Sequence, residues 1–295
     1  MDKVLVIGGS GFMGSHTADA LSESGYQVTI YDCVVSKWLR SDQYMLLGDL
    51  MDSTKLSVAI NNTDIVYHFA GIADIGEAKD RPYETIDANV MGVTKILDLA
   101  VKSNVKKLIY ASSMYVYSKH GSFYRASKQA AEIIIEAYHE QFNLDFTLLR
   151  YGSLYGPRSQ KWNGLKHFAT ELITNNKLDY NGNGKEVREY IHVHDAARLS
   201  VDILDDKHNN SAITITGQQS IKMEDLFLML IEIEGNNKAV TYHGDDIRVD
   251  HYGNTPYRYT PKTAKKLVPF EFVDLGQGLL DLIEEIHIEI ENNEY

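Results

Sequence analysis

The feature that most constrains this chain lies in residues 3–14. A short apolar run, 3–7, ends in Gly8-Gly9-Ser10-Gly11-Phe12-Met13-Gly14, and Met13, Ala18 and Leu21 then follow at helical spacing up to Gly25. An apolar run that stops at glycines reads as a strand buried on both faces. A strand passing through glycines straight into a helix reads as the first unit of a parallel sheet. Gly8 suits the tight turn, Gly11 lets backbone approach a pyrophosphate, and Gly14 lets the helix sit close to the sheet. The first N–H groups of that helix, those of Phe12, Met13 and Gly14, suit phosphate oxygens. A purely structural turn would use the same glycines, so the triplet needs its context.

The context is alternation. Further strands are expected at 27–31, 44–47, 64–69, 106–111 and 145–149, with helices at 12–24, 53–60, 83–103 and 124–141 between them. Strands alternating with helices imply crossover connections and a doubly wound parallel sheet. Beyond Arg150 the regularity breaks. Residues 152–163 read as loop, 164–175 as helix, 181–185 as a glycine/asparagine turn, 213–216 as a strand, and 222–235 and 277–291 as helices. We expect a dinucleotide-binding domain at 1–151, to which about 192–217 return. A smaller substrate-binding domain is expected from 152–191 and 218–295.

Asp32 ends the second strand, on the order of 20 residues past the glycine turn, where a carboxylate accepts from ribose hydroxyls and repels a 2′-phosphate. It favours NAD over NADP; an exposed strand-end acid is the alternative. Asp49-Leu50 follows the third strand, placed to meet an adenine edge or to make an ordinary polar turn. The net charge of −12 argues against nucleic-acid and membrane-surface partners, which want a basic face. The single cysteine, Cys33, excludes an internal disulfide, and the histidines lack metal-ligand spacing, so no metal is expected. No apolar run approaches the length of a membrane helix and no secretory signal opens the chain. A cytoplasmic protein is expected.

These glycines, with Asp32, Gly48-Asp49-Leu50, His68-Phe69-Ala70-Gly71, Asn89 with Gly92, Ser112-Ser113-Met114-Tyr115-Val116-Tyr117, Tyr124-Arg125-Ala126-Ser127-Lys128, Arg150 to Gly156-Pro157-Arg158, and Arg188 to Asp195, run in order over nearly the whole chain. Together they resemble the extended short-chain dehydrogenase/reductase family, in particular its nucleotide-sugar epimerase/dehydratase branch. The resemblance implies a Rossmann-type fold, NAD, and a nucleotide-diphosphate sugar as substrate. It also implies that Ala70 and Asn89 lie beside the cofactor, though Asn89 reads equally as a residue that fixes nearby backbone.

Tyr124 and Lys128 share a helix face. A free phenol titrates near 10, and an ammonium beside it, with a positive nicotinamide ring, would stabilise phenolate. Tyr124 would then take a proton from a sugar hydroxyl while hydride leaves the same carbon, and Lys128 would also hold the nicotinamide ribose. Ser113 matches the family hydroxyl that bonds the reacting oxygen; Ser112 reads as its structural neighbour. With 19 tyrosines, a Tyr-x-x-x-Lys pair also arises by chance, so the pattern rests on its surroundings.

Family dehydratases and decarboxylases commonly carry an acidic residue after the strand-end hydroxyl. Here Met114 and Tyr115 stand there, which disfavours elimination and decarboxylation. The segment 118–123 is short, and Ser153 stands where asparagine is frequent. Arg188 is the first choice for the diphosphate, with Arg158, Lys161, Lys166, Arg248 and Arg258 as further cations; solvated surface charge is the alternative for each of the others, and structural pairing with Glu189 or Asp195 is the alternative for Arg188. The helices at 83–103 and 124–141 carry more apolar surface than one stripe requires, and family members often pair them, so a homodimer is expected. The expected activity is nucleotide-sugar epimerisation through a 4-keto sugar. The alternatives are a 4-dehydrogenase or ketoreductase, and a dinucleotide-sensing binding protein without turnover.

Overall fold

The computed structural model describes residues 2–235, 237–244, 251–257 and 265–292. The first half runs β1 (Lys3–Ile7), α1 (Phe12–Glu23), β2 (Gln27–Asp32), β3 (Tyr44–Leu47), α2 (Ser53–Ile60), β4 (Ile65–His68), α3 (Ile75–Asp80), α4 (Pro82–Ile86), α5 (Gly92–Lys102), β5 (Lys107–Ser113), α6 (Ser122–Phe142) and β6 (Asp145–Tyr151). The second half runs β7 (Ser153–Tyr155), α7 (Gly164–Asn175), β8 (Lys177–Tyr180), β9 (Val187–His192), α8 (Val193–Asp202), β10 (Ser211–Ile215), β11 (Ser220–Lys222), α9 (Met223–Glu234), β12 (Ala239–Tyr242), β13 (Lys265–Lys266) and α10 (Leu275–Glu291).

The main sheet has the order β13-β10-β6-β5-β4-β1-β2-β3, and every neighbouring pair is parallel. β13 adds only two residues at one edge. The doubly wound expectation is met. Chain travel reverses between β1 and β4, and such a switch point leaves a crevice at the carboxyl ends of the strands. Alternation along the strands feeds two cores. Val4, Val6, Tyr67 and Ile109 pack against α1 and α8. Leu5, Ile7, Val66, Leu108 and Tyr110 pack against α2, α5 and α6. A third core, with Tyr155, Phe168, Phe227 and Leu282, is built from α7, β8, α9 and α10.

The helix expected at 83–103 is not one helix. α4 ends at Ile86, a single π-helical turn occupies Asp87–Met91, and α5 begins at Gly92. A π turn inserts a residue and rotates the helix face locally. Here it buries Asn89, a polar residue that a regular amphipathic reading assigns no inward partner.

Between α1 and the start of α8 three imidazoles form an edge-to-face stack. His194 lies 4.8 Å from both His16 and His192, centroid to centroid. Burial lowers His16 to about 3 and His192 to about 4, and lowers His194 as well. In the unfolded chain these groups take protons near 6.5. Between the two values the unfolded state binds more protons, so stability falls as pH drops from about 6.5 toward 3. Each such histidine contributes a slope on the order of 1.4 kcal/mol per pH unit. Denaturant midpoints should therefore decline steeply across that window, and His16→Phe should flatten the decline. An unchanged slope would show that the stack is not its source.

Candidate active site

A cavity of about 1140 Å³ opens at the carboxyl ends of the main-sheet strands. One end is the glycine turn. Gly8 has φ +84°, and a Cβ there would strike the backbone of Ala70. A Cβ on Gly14 would strike the carbonyl of Gly8. Gly11 has no such backbone collision; it faces the cavity with Phe12 and Met13. No side chain caps the N-terminus of α1, so its N–H groups point to whatever the turn holds.

Asp32 lines the same end. Its two oxygens accept from the backbone N–H of Ser10 (2.9 Å) and of Val34 (3.0 Å), which fixes the carboxylate and leaves lone pairs toward the cavity. Ala70 lines the cavity beside the glycine turn. Asn89 does not line it. Its amide instead clamps Ile72, accepting from the backbone N–H (2.8 Å) and donating to the carbonyl (2.9 Å), and donates to Ser127 Oγ (3.0 Å). A Cβ on Gly71 would strike this amide. Asn89 thus holds the wall rather than forming it. Asp49 and Leu50 are not among the lining residues either. Asp49 accepts from the Met51 N–H (2.7 Å) as a turn residue, and Leu50 packs on Gly92. Asp49 thus makes the polar turn that is its alternative reading, and Leu50 packs on a helix.

At the middle of the cavity β5 ends and α6 passes over it. Strand alternation sends Ser112 toward α6, where its hydroxyl donates to Glu132 (2.6 Å). Ser113 is left at the strand tip, in the cavity, hydrogen-bonded to the Tyr124 hydroxyl. Lys128 lies one turn on, with Nζ 5.8 Å from the centre of the Tyr124 ring. The ammonium donates to the Ala111 carbonyl (2.8 Å) and sits over the Tyr110 ring (4.8 Å). Ser113, Tyr124 and Lys128 are therefore brought together.

Burial sets the electrostatics of Tyr124 and Lys128. Tyr124 keeps part of its surface open to the cavity, yet the surrounding protein pushes its phenol up to about 12; the Ser113 bond opposes this and Tyr252 adds to it. Burial pulls Lys128 down to about 8, against a raising effect from Glu132. Lys128 by itself leaves this phenol raised; the expected depression also counts a positive nicotinamide ring. The ammonium is spent on Ala111 and Tyr110, and desolvation dominates. Tyr124 is held as an acid until further positive charge enters beside it.

The far end belongs to the second half of the chain. Arg188, on β9, lines the cavity, lies over the Tyr252 ring (4.7 Å), and donates to the carbonyl of Gly253 (2.7 Å). Ser153 also lines it and is hydrogen-bonded to Tyr252.

Two sequence relatives and one solved structure bear on this arrangement. A UDP-N-acetyl-alpha-D-glucosaminuronate decarboxylase from Bacillus cytotoxicus is 27% identical over 99% of both chains. A UDP-glucose 4-epimerase from Yersinia enterocolitica is 30% identical over 66% of this chain and 71% of its own. The Thermotoga maritima UDP-glucose 4-epimerase, solved with UDP-glucose, superposes with a TM-score of 0.83 at 24% identity, covering 98% of this chain and 99% of its own. The model of the NAD dependent epimerase/dehydratase family matches residues 4–215. The chain belongs to that family.

Its cofactor is NAD, and the cradle fits it: the glycine positions a Cβ would close, the uncapped helix and the fixed Asp32 carboxylate lie on one side of the cavity. Hydrogen bonds to a charged group contribute about 1.5–3 kcal/mol. Asp32→Ala should weaken NAD binding roughly 10- to 100-fold by calorimetry, with a smaller loss for NADP. Equal losses for the two dinucleotides would remove Asp32 from the ribose.

Three expected cations of this family member, Arg158, Lys161 and Lys166, are not lining residues. Arg158 is not a lining residue; it pairs with Asp19 on α1 (2.8 Å) and lies over Trp38 (5.3 Å). Lys166 is buried against Glu289 (3.0 Å) and Glu285 (3.9 Å). Both are drawn off by carboxylates that sequence spacing does not reveal. Arg248 and Arg258 lie outside the described residues.

Sequence reading missed one wall altogether. Residues 71–77 form it, ending in α3, whose Asp74 accepts from the Glu77 N–H (2.8 Å). Asp-x-x-Glu is a capping pattern and was the available signal. Trp162, Phe168 and Tyr180 at the far end, and His251 and Tyr252 near Tyr124, were also missed as a lining. Among the described residues no group of three His, Cys, Asp or Glu side chains is set to hold a metal, and no helix is long and apolar enough to cross a membrane.

Proposed function

We propose that this protein is an NAD-dependent nucleotide-sugar epimerase that works through a transient 4-keto sugar. The observation that carries this reading is the convergence of Tyr124, Ser113 and Lys128 on the cavity that the glycine turn also lines. NAD, when bound, supplies a hydride acceptor that gives the hydride back. Tyr124 takes the proton of the C4 hydroxyl as the ketone forms and returns it on reduction. Ser113, hydrogen-bonded to the same phenol, is placed to bond the reacting oxygen as well. Lys128 fixes the ribose side of the site. Phe12, Met13, Gly14 and Ala70 contact the dinucleotide, Asn89 supports that contact through Ile72, and Arg188 and Ser153 face the nucleotide-sugar.

The proposed division of labour follows the cores. The two cores on the main sheet support a dinucleotide-binding domain at 1–151 with 192–217 returning to it, and the third core supports a substrate domain from the remainder. A homodimer is proposed across α4 to α6, where Tyr83, Met91 and Ile133 are exposed. A light-scattering mass of one chain at working concentration would remove it.

The reaction is tested with UDP-glucose labelled with deuterium at C4. Epimerisation returns the label to C4 of the product with no net reduced cofactor. Steady accumulation of reduced cofactor would instead identify a 4-dehydrogenase.

A further inference from the structure

The position after Ser113 that lacks an acid in the sequence does not lack proton chemistry in the structure. Tyr115 sits two residues past Ser113, and its backbone N–H donates to Ser113 Oγ (3.2 Å). Its ring meets that of Tyr124 edge to face, 6.0 Å between centroids at 77°. Its other side packs on Tyr252 at 4.7 Å. Its hydroxyl lies 2.6 Å from Nδ1 of His251, a residue far along the chain. A Cβ on Gly121, at φ +101°, would strike the Tyr115 ring. Tyr115, Tyr124 and His251 all line this cavity. A phenol locked on three sides beside the reacting phenol, and joined by a short bond to an imidazole, is more than a filler of space.

We propose that Tyr115 and His251 form a second proton-transfer couple, which acts on the carbon next to the C4 ketone. The inference rests on the 4-keto reading above and deepens it. A ketone at C4, made by hydride transfer to the nicotinamide dinucleotide, makes the C3–H and C5–H bonds acidic. A base one aromatic ring away from the group that holds O4 is placed to reach one of these hydrogens. With the imidazole proton on Nε2, the Tyr115 hydroxyl donates to Nδ1 of His251. The C–H bond breaks and its electron pair forms the carbon–carbon double bond of an enolate, with the charge on O4. The proton passes to the Tyr115 oxygen as that oxygen's own proton passes to Nδ1. Neutral phenol and imidazolium remain, and reversal returns a proton to carbon. Imidazole suits this because its proton affinity lies nearest neutral among the side chains, whereas a phenol alone is a poor acceptor at that pH. The substrate class this adds is a sugar whose stereochemistry or substituent at a carbon next to C4 is altered while the ketone exists.

Two measurements on the full chain test the couple. The first needs no turnover. The His251 imidazole resonances are followed by NMR in the wild type and in Tyr115→Phe, which keeps the ring against Tyr124 and Tyr252. A changed Nδ1 environment and a displaced titration are expected; identical imidazole behaviour overturns the proposal. The second incubates the NAD-loaded protein in heavy water with UDP-glucose and with UDP-N-acetylglucosaminuronate. Wild type should place solvent deuterium at C3 or C5, and both Tyr115→Phe and His251→Asn should lower the ratio of that exchange to hydride transfer about 100-fold. Asparagine keeps an acceptor for the Tyr115 hydroxyl without the proton affinity, so a merely structural role for His251 predicts rescue, and rescue overturns the proposal. Hydride transfer without exchange at either carbon in the wild type overturns it and leaves the 4-keto reading standing. Neither an epimerised product nor exchange at any carbon with either sugar overturns both.

Discussion

Tyr124→Phe is expected to remove turnover while leaving the dinucleotide bound. The substitution deletes one oxygen, the atom that the Ser113 hydroxyl holds, and keeps the ring that packs edge to face on Tyr115. General acid–base transfer by a placed side chain contributes about 10²–10⁴ in rate, and the loss should fall in that range. NAD affinity, read by calorimetry, should change little, because the glycine turn and Asp32 lie at the other end of the cavity. The pH behaviour has a defined direction. In the ligand-free protein the phenol is held up to about 12 and Lys128 down to about 8. A spectroscopic titration without cofactor should find no tyrosinate from this residue near neutral pH. With NAD in place, the added positive charge should move that titration downward. A Tyr124 titration that is the same with and without NAD would remove the proposed base. Full turnover in Tyr124→Phe would do so more directly.

The parts of the molecule that were legible in the sequence are those whose causes are local. The glycine turn is a run of neighbours whose φ values and close approaches need glycine. The strands β1, β3 and β5 are short apolar runs, and the helix spacing of α1 and α2 follows directly. The Tyr124/Lys128 pair is a one-turn relation on α6. What was not legible depends on partners distant in the chain. Arg158 reads as a diphosphate cation until Asp19, on α1, is found to hold it. Asn89 reads either as a cofactor contact or as a residue that fixes nearby backbone, and only its bonds to Ile72, made from the π turn, decide for the second. Asp49 is a turn residue because its own oxygen reaches Met51. The depression expected for Tyr124 counts Lys128 together with a positive nicotinamide ring; the structure adds the desolvation of both groups, which keeps the phenol raised beside Lys128 alone. The absence of an acid after Ser113 was read correctly as a sequence fact, but what faces Tyr115 comes from a segment near the far end of the chain.

Glu132→Ala is expected to give the largest loss of stability. Glu132 lies one turn beyond Lys128 on α6, and its carboxylate meets Arg150 at the end of β6 in a paired bond, Nε to Oε1 at 2.9 Å and Nη2 to Oε2 at 2.7 Å. Both side chains are almost fully buried, 1% and 3% exposed. Ser112 donates to the same carboxylate and Arg150 reaches the Tyr117 hydroxyl, so the network ties β5, α6 and β6 together beneath the reacting group. Removing one partner strands a buried guanidinium, which costs about 3–5 kcal/mol. The denaturant midpoint should fall accordingly with little change in the slope of the transition. Glu132→Gln keeps the shape and some hydrogen bonds but loses the charge, so its loss should be smaller. Replacing both partners, Glu132→Leu with Arg150→Met, leaves no charge unpaired and should recover most of the stability, because a buried pair is often no more stable than a well-packed apolar one. Activity should not recover with it. Glu132 is the group that raises Lys128 against the effect of burial, so without it the ammonium is lost at lower pH. A double variant that regains its midpoint but binds NAD more weakly above neutral pH would separate the two roles of this carboxylate, and a double variant as unstable as Glu132→Ala would show that the pair stabilises the fold outright.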